Sequence, residues 1–275
     1  MQTRRHSATS STYALGSDDP ELVRLELQAQ FLEEPTRLLL RTAGISPGMR
    51  VLDLGAGLGH VSRAVGELVG SDGEVVALEA DPRMIEGARA RTSMPHVRFV
   101  QGDALTFVDG KPFDAVVGRL ILFHLPDPVA ALRHHLAALR PGGRMVALDF
   151  DLGAVRSDPE EPFTMHVREL MLTAFRRVGA DPTIGSRLQD LLAAAGVDDV
   201  TGFGIEPYVA ADSPIGPVMM SGVIRTLAPA IVGHGLATEA ELDVDTLTER
   251  IAAALEASGA VLVPPVLAGA WGRRP

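Results

Sequence analysis

Cysteine is absent from this 275-residue chain, which excludes disulfides, thiolate metal sites and a cysteine nucleophile. Basic residues are outnumbered, 25 Lys and Arg against 35 Asp and Glu, for a formal charge of -10. Nucleic-acid binding is driven by clustered Lys and Arg, so a nucleic-acid partner is not expected. The pairs Arg4-Arg5 and Arg273-Arg274 read as solvated ends. No uninterrupted apolar run approaches the ~20 residues that cross a bilayer, and the segment from Met1 to Gly16 is polar with no apolar signal region. A cytoplasmic protein with no membrane partner is the expectation. Repeats, heptads and low-complexity tracts are also missing. At 46% hydrophobic residues, a chain of this length can bury a full core as one α/β domain.

The most informative stretch is Val51-Leu52-Asp53-Leu54-Gly55-Ala56-Gly57-Leu58-Gly59-His60. An apolar β-prone run passes an acidic residue and turns through three alternating glycines into a helical pattern from about Leu58. Glycine tolerates positive φ and lets a backbone approach a ligand, while the following helix offers free amides. Such a turn suits a nucleotide-like cofactor. A dinucleotide fingerprint over Gly55 and Gly57 requires glycine where this chain has His60, and no Gly-Lys-Ser/Thr follows as a P-loop requires.

Asp53-x-Gly55-x-Gly57-x-Gly59 at the end of a first strand resembles motif I of the class I S-adenosylmethionine-dependent methyltransferases. The next hundred residues extend the resemblance. Glu74 to Glu79 reads as a second strand whose terminal carboxylate lies 24 positions beyond Gly55, where it can accept both hydroxyls of a ribose. Asp81-Pro82 is an N-cap followed by proline at the first helical position. The third strand, Val97 to Gln101, leads to Gly102-Asp103-Ala104. The resemblance implies that Asp103 recognises the adenine amino group and that Ala56, Ala80, Met84, Ala104 and Arg119 contact the cofactor. Phe113 to Arg119 is a fourth strand, running into Leu120 to Pro128, similar to the family's segment after strand four. Asp127-Pro128 again caps a helix, with Val129, Leu132, Leu136 and Leu139 as its apolar stripe. Pro141-Gly142-Gly143 separates it from a fifth strand, Arg144 to Phe150.

Three further segments complete the reading. A helical stretch from about Pro20 to Ala43 carries Leu22, Leu25, Leu32 and Leu39 at helix-compatible spacing. With Tyr13, Leu15-Gly16, Arg24-Leu25 and Gln28 it resembles the amino-terminal cover of small-molecule methyltransferases of the quinone-biosynthesis type, which places Tyr13 and Gln28 against the cofactor. A helix from Glu160 to Val178 has Phe163, Val167, Leu170, Ala174 and Val178 as its expected buried stripe, with His166 beside it. A helix from Ser186 to Ala195 precedes a sixth strand, Val200 to Val209. The connection from Asp212 to Gly259 carries its own helical pattern, including Leu247, Ile251 and Leu255. The last strand, Val266 to Trp271, is antiparallel in the family and inserts between strands five and six.

The expected fold is therefore α/β and Rossmann-like. A seven-stranded, mostly parallel sheet with an antiparallel last strand carries helices on both faces under a helical cover. It is read as one domain: a lid over 1–45, a cofactor-binding core over 46–150, and a carboxyl half over 151–275 whose insertions form the substrate pocket. The implied cofactor is S-adenosylmethionine, with S-adenosylhomocysteine as product. The implied partner is a small-molecule methyl acceptor, an O, N or C centre of an aromatic, quinone-like or specialised metabolite, and a homodimer is one candidate assembly. Displacement on a sulfonium needs alignment and water exclusion above all. If a general base takes part, His124 and Asp149 rank first, ahead of Asp151 and His166. A non-catalytic cofactor-binding regulator and an NAD(P) oxidoreductase are the alternatives.

Overall fold

Valine- and leucine-rich runs bounded by glycine, proline or an acidic residue build the centre of the protein. In the computed structural model, which describes residues 19–275, with side chains from Arg24 onward, the strands are β1 (Arg50–Leu54), β2 (Glu74–Glu79), β3 (Val97–Gln101), β4 (Phe113–Arg119), β5 (Leu139–Asp151), β6 (Arg156–Asp158), β7 (Asp198–Ile205), β8 (Val261–Val263) and β9 (Val266–Arg273). Seven of them form one sheet in the order β3-β2-β1-β4-β5-β9-β7. The pairs β1–β2, β1–β4, β2–β3 and β4–β5 are parallel, whereas β9 runs antiparallel to both β5 and β7. The expected sheet is thus observed, with its antiparallel strand inserted before the edge.

Ten helices flank or cover it among the described residues: α1 (Asp19–Phe31), α2 (Glu33–Thr42), α3 (His60–Val69), α4 (Pro82–Ala90), α5 (Pro128–Ala138), α6 (Pro162–Arg177), α7 (Leu188–Ala194), α8 (Ile215–Gly233), α9 (Glu239–Leu242) and α10 (Leu247–Ser258). Successive strand residues face opposite layers. Val51, Val75 and Val117 pack with Leu39, Val61 and Val65 on one face, and Leu52, Val76 and Val116 with Leu132, Leu188 and Leu192 on the other. A separate cluster unites α6, α8 and α10 through Val167, Met171, Phe175, Ile224, Leu227, Ile251 and Leu255, so the cover has a core of its own.

Several boundaries differ from the sequence reading. The stretch from Pro20 to Ala43 is two helices, broken at Leu32 (φ -93°, ψ 1°). Pro35 accounts for the break, since proline cannot donate to, and its ring collides with, the carbonyl four residues back, here Phe31. Helix α3 starts at His60, because Gly59 is left-handed at the N-cap (φ 79°). Strand β5 begins at Leu139, so Pro141-Gly142-Gly143 lies within an irregular strand entry. Strand β7 stops at Ile205, ahead of Glu206-Pro207, where proline cannot continue a ladder. The buried face of α6 is Thr164, Val167, Met171, Leu172, Ala174 and Phe175. Val178 is exposed, and His166 points to solvent. The short ribbon β6–β8 was not expected, its strands being too short to show a period.

Helix α8, with a mean hydropathy of 1.5, is long and apolar enough by length and composition to cross a membrane, a feature that the search for uninterrupted apolar runs passes over because Arg225 and Pro229 interrupt it. Here its residues Met220, Ile224, Leu227 and Ile231 are buried in the cover. Strand order reverses between β1 and β4, and the carboxyl ends of strands at such a reversal are the usual place for a ligand in an open α/β sheet.

Candidate active site

The turn after β1 is built on backbone conformations that only glycine adopts freely. Gly55, Gly57 and Gly59 have φ of 69°, 52° and 79°. They differ in surroundings. A Cβ on Gly55 would meet Ile121 Cδ1 at 2.9 Å, and one on Gly59 would meet Phe99 Cζ at 2.9 Å, but one on Gly57 meets nothing within 4 Å. The first and third glycines make room for protein; the middle one leaves open space above the turn.

Glu79 closes this turn. One carboxylate oxygen accepts from Gly57 N–H at 2.8 Å, and the other from Ala80 and Asp81 N–H at 2.8 and 3.0 Å. The end of β2 is thereby tied to the turn after β1. Ala56 N–H donates to the Leu78 carbonyl at 2.9 Å, a second tie between the same elements. Asp53 is buried beneath, its Oδ2 accepting from Ser62 Oγ at 2.6 Å. Burial pushes its pKa up to about 7, against the opposing pull of Ser62 and Arg119. Its Oδ1 is buried with no hydrogen-bond partner among the described residues.

Asp103 is exposed and accepts from Leu105 N–H at 2.7 Å. Two residues missed by the sequence reading stabilise this segment from α5. His134 Nε2 lies 2.8 Å from the Phe107 carbonyl and His135 Nε2 2.6 Å from the Ala104 carbonyl, so both donate. Burial pushes the His135 pKa down to about 4, which keeps the ring neutral. The adjacent histidines, beside Arg133 on a helix that is otherwise apolar, were the available signal. Met84 is buried on α4, and Ala80 is exposed beside Glu79.

After β4 the chain makes a 3₁₀ turn, Leu122–His124. Asp149, buried at the end of β5, accepts from Phe123 N–H at 3.4 Å and from its own neighbour Phe150 N–H at 3.0 Å. Burial pushes Asp149 up to about 7, against these backbone bonds. His124, on that turn, is pushed down to about 3 by burial and by the Arg24 charge on α1. Asp151 caps the following turn through Gly153 N–H at 2.9 Å. The two candidate base residues are thus neighbours through one turn, but neither they nor His166 are among the residues lining the two cavities of this region, and Tyr13 lies outside the described residues.

Two cavities flank the region. An apolar one of about 90 Å³ is lined by Phe31, Phe150, Leu152, Met171, Met219, Met220, Pro265 and others, with Gln28 as its one polar side chain. Gln28 therefore faces this cavity, its Oε1 accepting from Arg24 at 2.8 Å. A polar cavity of about 280 Å³ lies between α1, α2 and α3 and includes Glu26, Arg37, His60, Arg63, Glu67 and Arg119. Arg119, expected against the cofactor, donates to Thr36 Oγ1 on α2 at 2.9 Å.

A family model described as methyltransferase domain matches residues 45–195, which span β1 through α7. The chain belongs to this family. It is 37% identical over 120 residues to the ubiquinone/menaquinone biosynthesis C-methyltransferase of Ectopseudomonas mendocina, covering 42% of this chain and 46% of that protein. Over 114 residues it is 36% identical to the demethylmenaquinone methyltransferase of Staphylococcus aureus, covering 40% and 47%. Against the ubiquinone/menaquinone biosynthesis enzyme of Serratia proteamaculans the match is 30% over 187 residues, covering 62% and 74%. The chain spans about half the length of the first two of these curated relatives. The fold is shared with the Haemonchus contortus phosphoethanolamine N-methyltransferase 2, solved with phosphomonomethylethanolamine and S-adenosylhomocysteine (TM-score 0.54, 16% identity, 88% of this chain and 52% of that one).

Family and fold together are those of the class I S-adenosylmethionine-dependent methyltransferases, and S-adenosylmethionine is the cofactor that goes with them. The residues present suit it. Gly57 leaves open the space that a side chain would fill, and the unmatched Asp53 oxygen lies below.

Proposed function

We propose that this chain transfers the methyl group of S-adenosylmethionine to a small, largely apolar acceptor, an aromatic, quinone-like or specialised metabolite, at an O, N or C centre. The observation that carries the reading is the pairing of an open, Glu79-tied glycine turn with an apolar cavity at the end of β5 whose one polar side chain is Gln28. When bound, the cofactor supplies an electrophilic methyl on sulfur and a good neutral leaving group, so that in-line displacement needs chiefly proximity and the exclusion of water.

The residues of this chain divide that work. Gly57 lets the backbone approach, Glu79 receives the ribose hydroxyls, and Asp103 the adenine amino group. Phe31, Phe150 and Met219 keep the acceptor cavity dry, and Gln28 offers its amide N–H groups to an acceptor oxygen. His124, neutral near pH 7 because burial holds its pKa near 3, does not line that cavity, so the transfer is assigned to alignment and water exclusion and no base step is routed through it. Asp149 positions it by holding the intervening turn. A lid over the amino-terminal residues and a cytoplasmic location belong to the same proposal.

The test is transfer of labelled methyl from S-adenosylmethionine to a panel of phenols, hydroquinones and metabolite extracts. Label appearing in an organic-extractable product supports the proposal. Tight cofactor binding with no transfer to any member of the panel would instead favour a non-catalytic cofactor-binding regulator.

A further inference from the structure

The apolar cavity is smaller than the acceptor proposed for it. It holds about 90 Å³, whereas an engineered apolar cavity that binds benzene holds about 150 Å³. An aromatic acceptor therefore enters with one edge and leaves part of its ring outside. Transfer to it needs that part kept from water as well, so a second surface has to cover it.

The connection over 206–214, from β7 to α8, is placed to do so. Strand β9 is antiparallel to both β5 and β7, so β5 and β7 run parallel and end at the same edge of the sheet. Phe150 and Ile205 pair with the same residue, Leu267, from its two sides, which sets them roughly 10 Å apart at the usual spacing between strands. Phe150 is one wall of the cavity, Pro265 just ahead of β9 is another, and Ile215, where α8 begins, is a third. The connection thus leaves the sheet two strands away from the cavity and returns onto its rim.

None of the residues 206–214 is buried. The segment is anchored at its start by the ion pair of Glu206 with Arg156 at 2.5 Å, and near its end Ser213 N–H donates to the Ala210 carbonyl at 2.9 Å. Between these points stands Tyr208, 99% exposed. Being three residues past Ile205, it lies within about 11 Å of that strand end. A single exposed apolar side chain is ordinary; the position of this one, on a chain segment that spans the side of an undersized apolar cavity, is what gives it a use.

We propose that Tyr208 is the roof of the acceptor site: when the cavity is filled, the connection folds down and the tyrosine ring covers the part of an aromatic acceptor that protrudes. The proposal rests on the reading of the apolar cavity as the acceptor site. A tyrosine suits the task, since its ring stacks on an aromatic face while its hydroxyl stays in water. The Glu206 anchor holds to β6, whose partner β8 supplies Leu262 to the cavity wall, so the movement is confined to the stretch beyond it. Selection of planar over saturated acceptors follows from the contact.

The test uses the full chain saturated with S-adenosylhomocysteine and carrying isotope-labelled methionine methyl groups. Met171, Met219 and Met220 line the cavity, so their resonances report its occupancy, and Met49 and Met145, packed in the cores of the sheet, serve as controls. The probes are 1-naphthol and decahydro-1-naphthol, alike in skeleton but only the first with an aromatic face. The wild type should prefer 1-naphthol. Tyr208→Ala should weaken 1-naphthol by about three- to tenfold and leave decahydro-1-naphthol nearly unchanged, and Tyr208→Phe should match the wild type. Hydrogen exchange over 206–214 should slow when 1-naphthol is added. Shifted cavity methionines with undiminished 1-naphthol affinity in Tyr208→Ala would overturn the proposal and leave the acceptor cavity standing. Equal losses for both probes would also overturn it, making Tyr208 a structural part of the connection. If neither probe moved the cavity methionines of the wild type, the reading of the cavity as the acceptor site would fall, and the proposal with it.

Discussion

At Glu79 the two carboxylate oxygens are divided between the glycine turn and the start of the next connection, Gly57 N–H on one side, Ala80 and Asp81 N–H on the other. The position of the acid at the end of a second strand is legible in the sequence; its grip on the turn is not, because no spacing rule tells which backbone amides a carboxylate will meet. Glu79→Ala should therefore do two things. Loss of charge-assisted hydrogen bonds should cost about 1.5–3 kcal/mol of stability, and S-adenosylhomocysteine affinity should fall by roughly tenfold or more, 1.4 kcal/mol per decade. Denaturant titration and calorimetry on the same preparation separate the effects. Lower stability with unchanged affinity would make Glu79 purely structural. Arg119 is legible only in part: its place after β4 marks it as a site residue, but its bond to Thr36 joins positions 83 apart, and such a pairing emerges only once α2 has packed on the sheet.

Among the elements, those of the sheet are the most readable. Strands β2, β3 and β4 fall where their apolar runs and bounding residues put them, and the caps Asp81 and Asp127 accept from Arg83 and Ala130 N–H at 2.8 Å each. The cover is less readable because its helices bury their faces against one another. The stripe on α6 is rotated toward Met171 and Phe175 by packing on α8, a partner that the linear pattern does not reveal. The leucines of α1 and α2 similarly run through the break that Pro35 imposes. Helix α1 meets the rest of the site through polar contacts at Glu26 and through Gln28 at the apolar cavity, an edge that a ligand can tighten. Hydrogen exchange should show protection rising over residues 24–31 on addition of S-adenosylhomocysteine, with β1 and β4 already protected without it. Full protection of α1 before ligand is added, or no response to it, would make the helix scaffold and not lid.

Across the whole molecule, four buried titratable groups pull stability in opposite directions. Asp53 and Asp149, pushed up to about 7, keep protons in the folded state that an unfolded carboxylate, with a pKa near 3.9, has released. Each therefore lowers stability as pH rises from about 4 to about 7. His124 and His135, pushed down to about 3 and about 4, act in reverse, since the unfolded chain binds protons below about 6.5 that the folded one does not. Stability from these two rises with pH over roughly 4 to 6.5. In that shared window the four contributions oppose one another. Asp149→Asn removes one negative slope, so its stability should climb with pH more steeply than that of the wild type, by up to about 1.4 kcal/mol per pH unit. Urea titrations across the window check this, and parallel profiles for the two proteins would contradict it.

The architecture as a whole, a mostly parallel sheet with one inserted antiparallel strand, is proposed to hold its sulfonium cofactor at the glycine turn. Calorimetric titration of the full chain with S-adenosylhomocysteine and with NAD tests that most directly. The account predicts saturable binding of S-adenosylhomocysteine and no binding of NAD. Saturable NAD binding with no response to S-adenosylhomocysteine would contradict it.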